Sequence, residues 1–314
     1  HPDTRSPDGS SSFCPDVPGN VTSYQIQSND FRSVDNNSQP SFGSNGSYSY
    51  KQLPNLVTLN INNNYYLTDN AHSLASADTI STINYSSTGV AIPTGLNGKT
   101  NLTNFSSYYN RNSSDIANNR SLLTSTGDYK FAACNSLSTL HLYATNLGLV
   151  NFPLSFSNNA LSYLDLRYTS IKGGKPVADG SQTHVIYPET FRDAVNIRYI
   201  MIDSPNLGSN FPTGTNKIHP DAFLFNSELY YFWYRSHGKT TGDISQLFNS
   251  NSKLQYIWAQ SNAFSGTIPN FTGNPVIYYV NLQYNQLSGS IPGFKDLNNL
   301  RYLYLQNNNL TGIT

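Results

Sequence analysis

The stretch LNNLRYLYLQNNNLTG, Leu297 to Gly312, decides the architecture. Taking Leu297 as an anchor a, the positions 3, 6, 8, 11 and 13 residues on hold Leu300, Leu303, Leu305, Asn308 and Leu310. The same spacing from Asn274 gives Ile277, Val280, Leu282, Asn285 and Leu287, and from Asn251 it gives Leu254, Ile257, Ala259, Asn262 and Phe264. Looser copies start at Leu53, Ala77, Leu102, Cys134, Asn158, Ala194 and Asn226, which makes ten. Val21, Tyr24, Ile26, Asn29 and Phe31 keep the spacing as a degenerate eleventh copy within residues 18–33.

The pair at a+6 and a+8 is a period-2 signal, so each copy predicts one short strand with those two side chains turned into a core. A period of 20 to 50 residues predicts a solenoid, because no copy can bury its apolar edge alone while stacked copies share a continuous core and a parallel sheet. The Asn at a+11 (Asn64, Asn262, Asn285, Asn308) can satisfy backbone groups of neighbouring coils through its amide, and Thr88, Ser113, Thr145 and Thr169 can do part of that with a hydroxyl. Pro205 and His237 depart from the pattern. An aromatic at a−3 recurs at Tyr50, Phe131, Phe191, Phe223, Phe248, Phe271 and Phe294 and predicts a spine filling the convex half. Three long intervals place extra residues at 114–130, 173–190 and 208–222, expected as loops off the sheet. Residues 1–49, rich in Ser, Asn, Gly and Pro, predict an irregular N-terminal cap, and residues 50–314 the solenoid.

These copies resemble leucine-rich repeats. The last ones are similar to the plant-type subclass, whose pattern LxxLxLxxNxLxGxIP appears as LQYIWAQSNAFSGTIP and VIYYVNLQYNQLSGSIP. The resemblance implies an α/β-type solenoid of about ten coils, with a parallel sheet on the concave face and a mostly irregular or 3-10 convex side. It also implies a protein or glycan binder. The paired-cysteine caps usual in the family are absent from this chain.

Only 11% of residues are charged and the formal net charge is zero, so nothing in the composition favours nucleic acid or an acidic membrane as partner. The neutral, hydroxyl-rich make-up suits an extracellular, cell-surface or virion-surface location. No apolar run is long enough to span a bilayer. The chain starts at His1 and stops at Thr314 inside a repeat, which reads as a segment of a longer protein truncated at the C-terminal end. Cys134 sits at an anchor and reads as a small buried hydrophobe, several coils from Cys14. Ten N-x-S/T triplets (Asn20, Asn36, Asn45, Asn84, Asn101, Asn104, Asn112, Asn119, Asn270, Asn309) add no weight by number. With 41 Asn and 66 Ser plus Thr in 314 residues, about 8.6 arise by chance.

Function is expected on the concave sheet face, where a+5, a+7 and a+9 point away from the core. The a+5 row reads Thr58, Thr82, Ser107, Thr139, then Tyr163, Tyr199, Tyr231, Tyr256, Tyr279 and Tyr302. The a+7 row carries His141, Asp165, Met201, Trp233, Trp258, Asn281 and Tyr304, and the a+9 row Arg111, Tyr143, Arg167, Asp203, Arg235, Gln260, Gln283 and Gln306. A rigid aromatic sheet flanked by amides and guanidinium groups is a binding platform of large contact area and low entropy cost. The candidate ligand-binding residues are Tyr163, Arg167, Tyr199, Tyr231, Trp233, Arg235, Tyr256, Trp258, Gln260, Tyr279, Gln283, Tyr302 and Tyr304. Sugars stacked on Trp233 and Trp258 are one realisation, and a protein loop along the groove is another. The competing reading is an aromatic ladder that only glues coils together, in a structural part of a surface assembly or virus fibre contacting its own copies. No cofactor, metal site or catalytic set is expected, since the six histidines lack metal spacing and no GxSxG, HExxH or phosphate loop occurs. A polysaccharide-degrading β-helix enzyme is the remaining rival, and it would need paired carboxylates on one face.

Overall fold

In a computed structural model, residues 23–25, 55–63, 68–69, 74, 77–90, 95–109, 131, 133–145, 150–152, 156, 158–169, 171–174, 184–204, 217–238 and 240–313 are described. The chain divides into two compact units, residues 1–122 with 130–148, and residues 123–129 with 149–314. Each is a stack of parallel coils. In the first unit the strands Ser23–Gln25, Thr58–Asn60, Thr82–Asn84, Asn104–Ser106 and Thr139–His141 pair in chain order. In the second, Tyr163–Arg167, Tyr199–Asp203, Tyr231–Arg235, Tyr256–Trp258, Tyr279–Asn281 and Tyr302–Tyr304 do the same. Smaller parallel ladders form away from these strands, among them His184–Ile186, Lys217–Ile218, Thr241–Asp243 and Ala263–Ser265.

The a+3, a+6 and a+8 side chains form the core, as in Leu229, Phe232 and Tyr234 or Leu254, Ile257 and Ala259, all almost fully buried. Into most of these strands run two turns placed end to end. Asn226 N bonds Phe223 O and Leu229 N bonds Asn226 O, and the same pattern recurs at Phe248–Asn251–Leu254 and Phe271–Asn274–Ile277. No two turns on this side start at successive residues, so no 3-10 helix, and no α-helix, forms there among the described residues. The spine is present: Phe191, Phe223 and Phe248 are buried with ring centroids 5.9 and 6.2 Å apart. Phe156, one residue out of the a−3 slot, joins it by stacking on Phe191 at 5.2 Å.

Two amide ladders tie coil to coil. At a+11, Asn285 Nδ2 donates to Ala259 O of the preceding coil (2.9 Å) and to Leu282 O of its own (3.0 Å), while its Oδ1 accepts Phe264 N. Asn262 and Asn308 repeat the arrangement. Thr88 and Thr169 bond their own coil, to Tyr85 O and Leu166 O. The second ladder runs through the anchors themselves. Asn251 Nδ2 donates to Phe223 O and Asn226 O (3.0 and 2.8 Å), and Asn274 Nδ2 to Phe248 O and Asn251 O. Those asparagines look like weak members of an apolar slot in the sequence, yet each closes two buried carbonyls of the coil before it.

One register is corrected. The strand Asn104–Ser106 aligns Phe105 with Ile83 and Leu140, so the anchor of that coil is Lys99 and Leu102 is its a+3 residue. The a+5 residue is therefore Asn104, and Ser107 moves to a+8, where it is fully buried. A backbone signature agrees: the a+10 residue has positive φ in Asn63, Ser87, Ala144, Tyr168, Ser261, Tyr284 and Asn307, and Tyr109 (φ 52) fits an anchor at 99. Lys99 occupies the anchor by sending Nζ 2.7 Å to the exposed Asp78 carboxylate. Asn64, Ser113, Arg111, Pro205, Tyr50, Cys14, residues 114–130 and most of the N-terminal cap lie outside the described residues.

Candidate binding face

Because side chains alternate along a strand, burial of Phe232 and Tyr234 sends Tyr231, Trp233 and Arg235 to the other face of the same sheet. Repeated in register, this puts all thirteen candidate residues on or beside the outer face of the second unit. Tyr163, Tyr199, Tyr231, Tyr256, Tyr279 and Tyr302 are cross-strand neighbours, and most are half-buried by one another. Ring centroids lie 5.6 Å apart for Tyr163–Tyr199, 6.2 Å for Tyr199–Tyr231, 5.8 Å for Tyr231–Tyr256 and 5.8 Å for Tyr279–Tyr302. Tyr230 and Tyr278 at a+4 extend the row, 5.5 and 5.7 Å from Tyr256. They escape a reading confined to a+5, a+7 and a+9, because a+4 precedes the strand.

The face does not present flat rings. Trp233 and Trp258 stack at 5.1 Å and 13°, Trp258 and Tyr279 at 4.3 Å and 19°, and the Arg167 guanidinium lies 5.1 Å from the Trp233 ring. The stack runs across the strands, so ring faces are largely covered by neighbours and ring edges and hydroxyls point outward. Arginine and carboxylate are also less exposed than their rows suggest. Asp165 and Asp203 are buried, the first gripped by Arg167 (Nε to Oδ1 3.0 Å, Nη2 to Oδ2 2.8 Å), the second by Arg235 (Nη2 to Oδ2 2.6 Å) and by His237 Nε2 at 3.1 Å. Burial works against the charge of Arg167, but its bonds to Asp165 outweigh that and raise its pKa; for Arg235 the bond to Asp203 comes first. The two carboxylates thus serve as counter-ions within the sheet, and they do not make an acid/base pair open to a substrate. Gln306 Nε2 donates to Gln283 Oε1 at 2.8 Å, which links the amide row.

Desolvation pushes the Tyr231 phenol up to about 12, against the pull of Arg167, and raises Tyr163, Tyr230, Tyr278 and Tyr279 in the same direction. A raised phenol pKa means the folded state holds its proton longer than the unfolded chain, whose tyrosines ionise near ~10. Their contribution is therefore complete below that value and is lost as pH rises through the folded pKa. Urea midpoints measured from neutral to strongly alkaline pH are expected to stay level and then fall between the two values, with phenolate absorbance rising late. Tyrosine ionisation at the ordinary pH with no lag would contradict this.

The first unit presents a different face, with Thr58, Thr82, Asn104 and Thr139 in one row and Asn60, Asn84, Ser106 and His141 beside it. Among the described residues no group of three His, Cys, Asp or Glu side chains could hold a metal ion, and no helix is long and apolar enough to cross a membrane.

The Leucine Rich Repeat family pattern matches residues 299–314. No curated protein matches the chain. Among solved structures it is similar to the Arabidopsis receptor kinase HAESA, captured with the peptide hormone IDA and a co-receptor, at 18% identity and TM-score 0.62 over 93% of this chain and 43% of that one. The plant peptide hormone receptor RGFR1, in complex with RGF2, aligns at 18% identity and TM-score 0.57, covering 83% of this chain and 41% of the receptor. A TDR receptor follows at 17% and 0.51, over 83% and 36%. The chain spans less than half the length of these receptors. With stacked coils, an in-register parallel sheet, the a+11 amide ladder and these likenesses in hand, the chain is a leucine-rich repeat solenoid whose last copies resemble the plant type.

Proposed function

We propose that this chain is an extracellular recognition module that binds a protein segment across the outer face of its second unit. The observation that carries the reading is the continuous run Arg167–Trp233–Trp258–Tyr279 with the tyrosine ladder beside it. Mutual stacking holds these rings rigid, so a partner meets a large surface that loses little entropy on binding. Protein fits better than sugar, because sugar stacking needs an open ring face and here the faces are covered while hydroxyl and ring edges are offered. The near balance of Arg167 with Asp165 and of Arg235 with Asp203 favours a partner surface that is polar and of low charge. The receptors it resembles were solved with peptide hormones, which is consistent with this reading.

The test is a binding screen of the chain against secreted peptides and cell-surface ectodomains, with a glycan array in parallel. A protein ligand lost at least tenfold in Tyr231→Ala and Tyr302→Ala, with folding intact, is the expected outcome. Retention of a glycan alone, or a ligand insensitive to both changes, would refute it.

A further inference from the structure

The number of N-x-S/T triplets is uninformative, but the structure sorts them. Five have their Asn among the described residues: Asn84, Asn101, Asn104, Asn270 and Asn309. Asn84 and Asn104 sit half-buried in strands of the first unit. The Asn84 amide oxygen accepts Ser86 N at 3.0 Å, and Asn104 Nδ2 donates to Thr103 Oγ1 at 2.9 Å. Asn101 is exposed, yet its Nδ2 is spent on Asp78 O at 2.9 Å. Asn309 is exposed within the strand Asn309–Ile313, and its amide oxygen receives no bond from Thr311.

Asn270 combines features that none of the other four shows together. It is exposed, it lies outside any strand, and both Thr272 N (3.1 Å) and Thr272 Oγ1 (3.0 Å) bond its Oδ1. Those two bonds fix the side chain by its oxygen and leave Nδ2 with no hydrogen-bond partner among the described residues. Its neighbour Phe271 is buried in the spine, so Asn270 emerges on the side of the coil away from the sheet's outer face. Beside it lies a groove of 580 Å³ with no charged residue in its lining. Gln246, Asn249, Thr267 and Ser290 offer it amides and hydroxyls, and Ile268 and Pro292 an apolar wall. Hydroxyl-bonding groups around a small apolar wall suit a neutral sugar.

We infer that Asn270 is an N-glycosylation site, and that the first sugars of its glycan settle into this groove. In the transfer, Nδ2 attacks C1 of an oligosaccharide carried on a lipid pyrophosphate. The N–C1 bond forms, the bond from C1 to the pyrophosphate oxygen breaks, the pyrophosphate departs with the electron pair, and Nδ2 gives up one proton. The inference rests on the extracellular reading above, because the lipid-linked donor belongs to the secretory route.

The chain secreted from a eukaryotic host behind a cleavable leader tests the acceptor itself, by peptide mapping before and after enzymatic glycan release. Asn270 is expected to be occupied on most molecules and Asn270→Gln to lower the mass by one glycan without reducing secretion. A bare Asn270 in the secreted chain overturns the proposal, whether or not other triplets are modified. Release from the native fold is expected to be at least tenfold slower than from the denatured chain, and equal rates would overturn the seat in the groove. Mapping the protein from its own source is the separate check on location: if every triplet is bare there while Asn270 is occupied in the secreted chain, the extracellular reading has failed and the acceptor assignment stands.

Discussion

Replacing Phe223 by alanine is expected to cost about 3–5 kcal/mol of stability, as phenylalanine deletions in closed cores do. Phe223 is fully buried and touches three rings: Phe191 and Phe248 on either side along the spine, and Phe232, a strand residue of its own coil, at 5.1 Å. Its carbonyl also opens a turn by accepting from Asn226 N, and it accepts from Asn251 Nδ2, so the backbone there cannot slide inward to fill the hole without breaking the anchor ladder. A solenoid coil is held only by its neighbours, so the loss falls on two interfaces at once and weakens the stack in the middle of the second unit. Phe223→Leu, which keeps most of the volume, should cost under ~1.5 kcal/mol. The neighbouring Leu224 is exposed, and its alanine variant should stay within about 0.5 kcal/mol of the parent. Urea unfolding ranks the three, and a Phe223→Ala loss no greater than that of Leu224→Ala would show that the spine bears little weight.

The second large effect is at Arg167. Its fork closes on a carboxylate, Asp165, that has no solvent contact, and its guanidinium covers the free end of the tryptophan stack. Arg167→Ala leaves a buried charge whose side-chain counter-ion is gone, and the expected loss is about 3 kcal/mol, the low end for a broken buried pair because Asp165 keeps its bond from the Arg167 amide. The diagnostic is the partner change. Asp165→Leu with Arg167→Met removes charge and countercharge together, and it should recover most of the loss, because two apolar side chains need no mutual rescue. Calorimetric melting of Asp165→Leu, Arg167→Met and the double variant completes the cycle. A double variant as unstable as Arg167→Ala would mean that packing over Trp233, and not the orphaned carboxylate, sets the cost.

The repeat was legible because its signal is a spacing, and spacing survives composition. Leu300, Leu303 and Leu305 point inward for the same reason as Ile197, Ile200 and Ile202, and their in-register strands follow. The Asn ladder at a+11 was legible because an amide is the one short group that donates to two carbonyls and accepts an amide proton together, as Asn285 does. The failure at Leu102 has an equally local cause. A template of apolar slots prefers leucine at the anchor, whereas that coil puts a lysine there and rescues it with an aspartate from the coil before, a contact that no local pattern encodes. The anchor asparagines were hidden in the same way: Asn226, Asn251 and Asn274 are hydrogen-bonding residues in a position scored for greasiness. On the outer face, the rows gave the residues but not their attitude. Whether Trp258 shows a face or an edge depends on the rings 5.1 and 4.3 Å away, which belong to other coils.

The indole pair carries its own optical consequence. The chain has two tryptophans, and they lie nearly parallel at contact distance, so their transition dipoles couple and every photon the protein emits from indole comes from this one dimer. Any molecule that settles over it, or any slippage between those coils, changes the splitting of the circular dichroism couplet and the emission colour. The protein therefore reports on its own contact surface without a label.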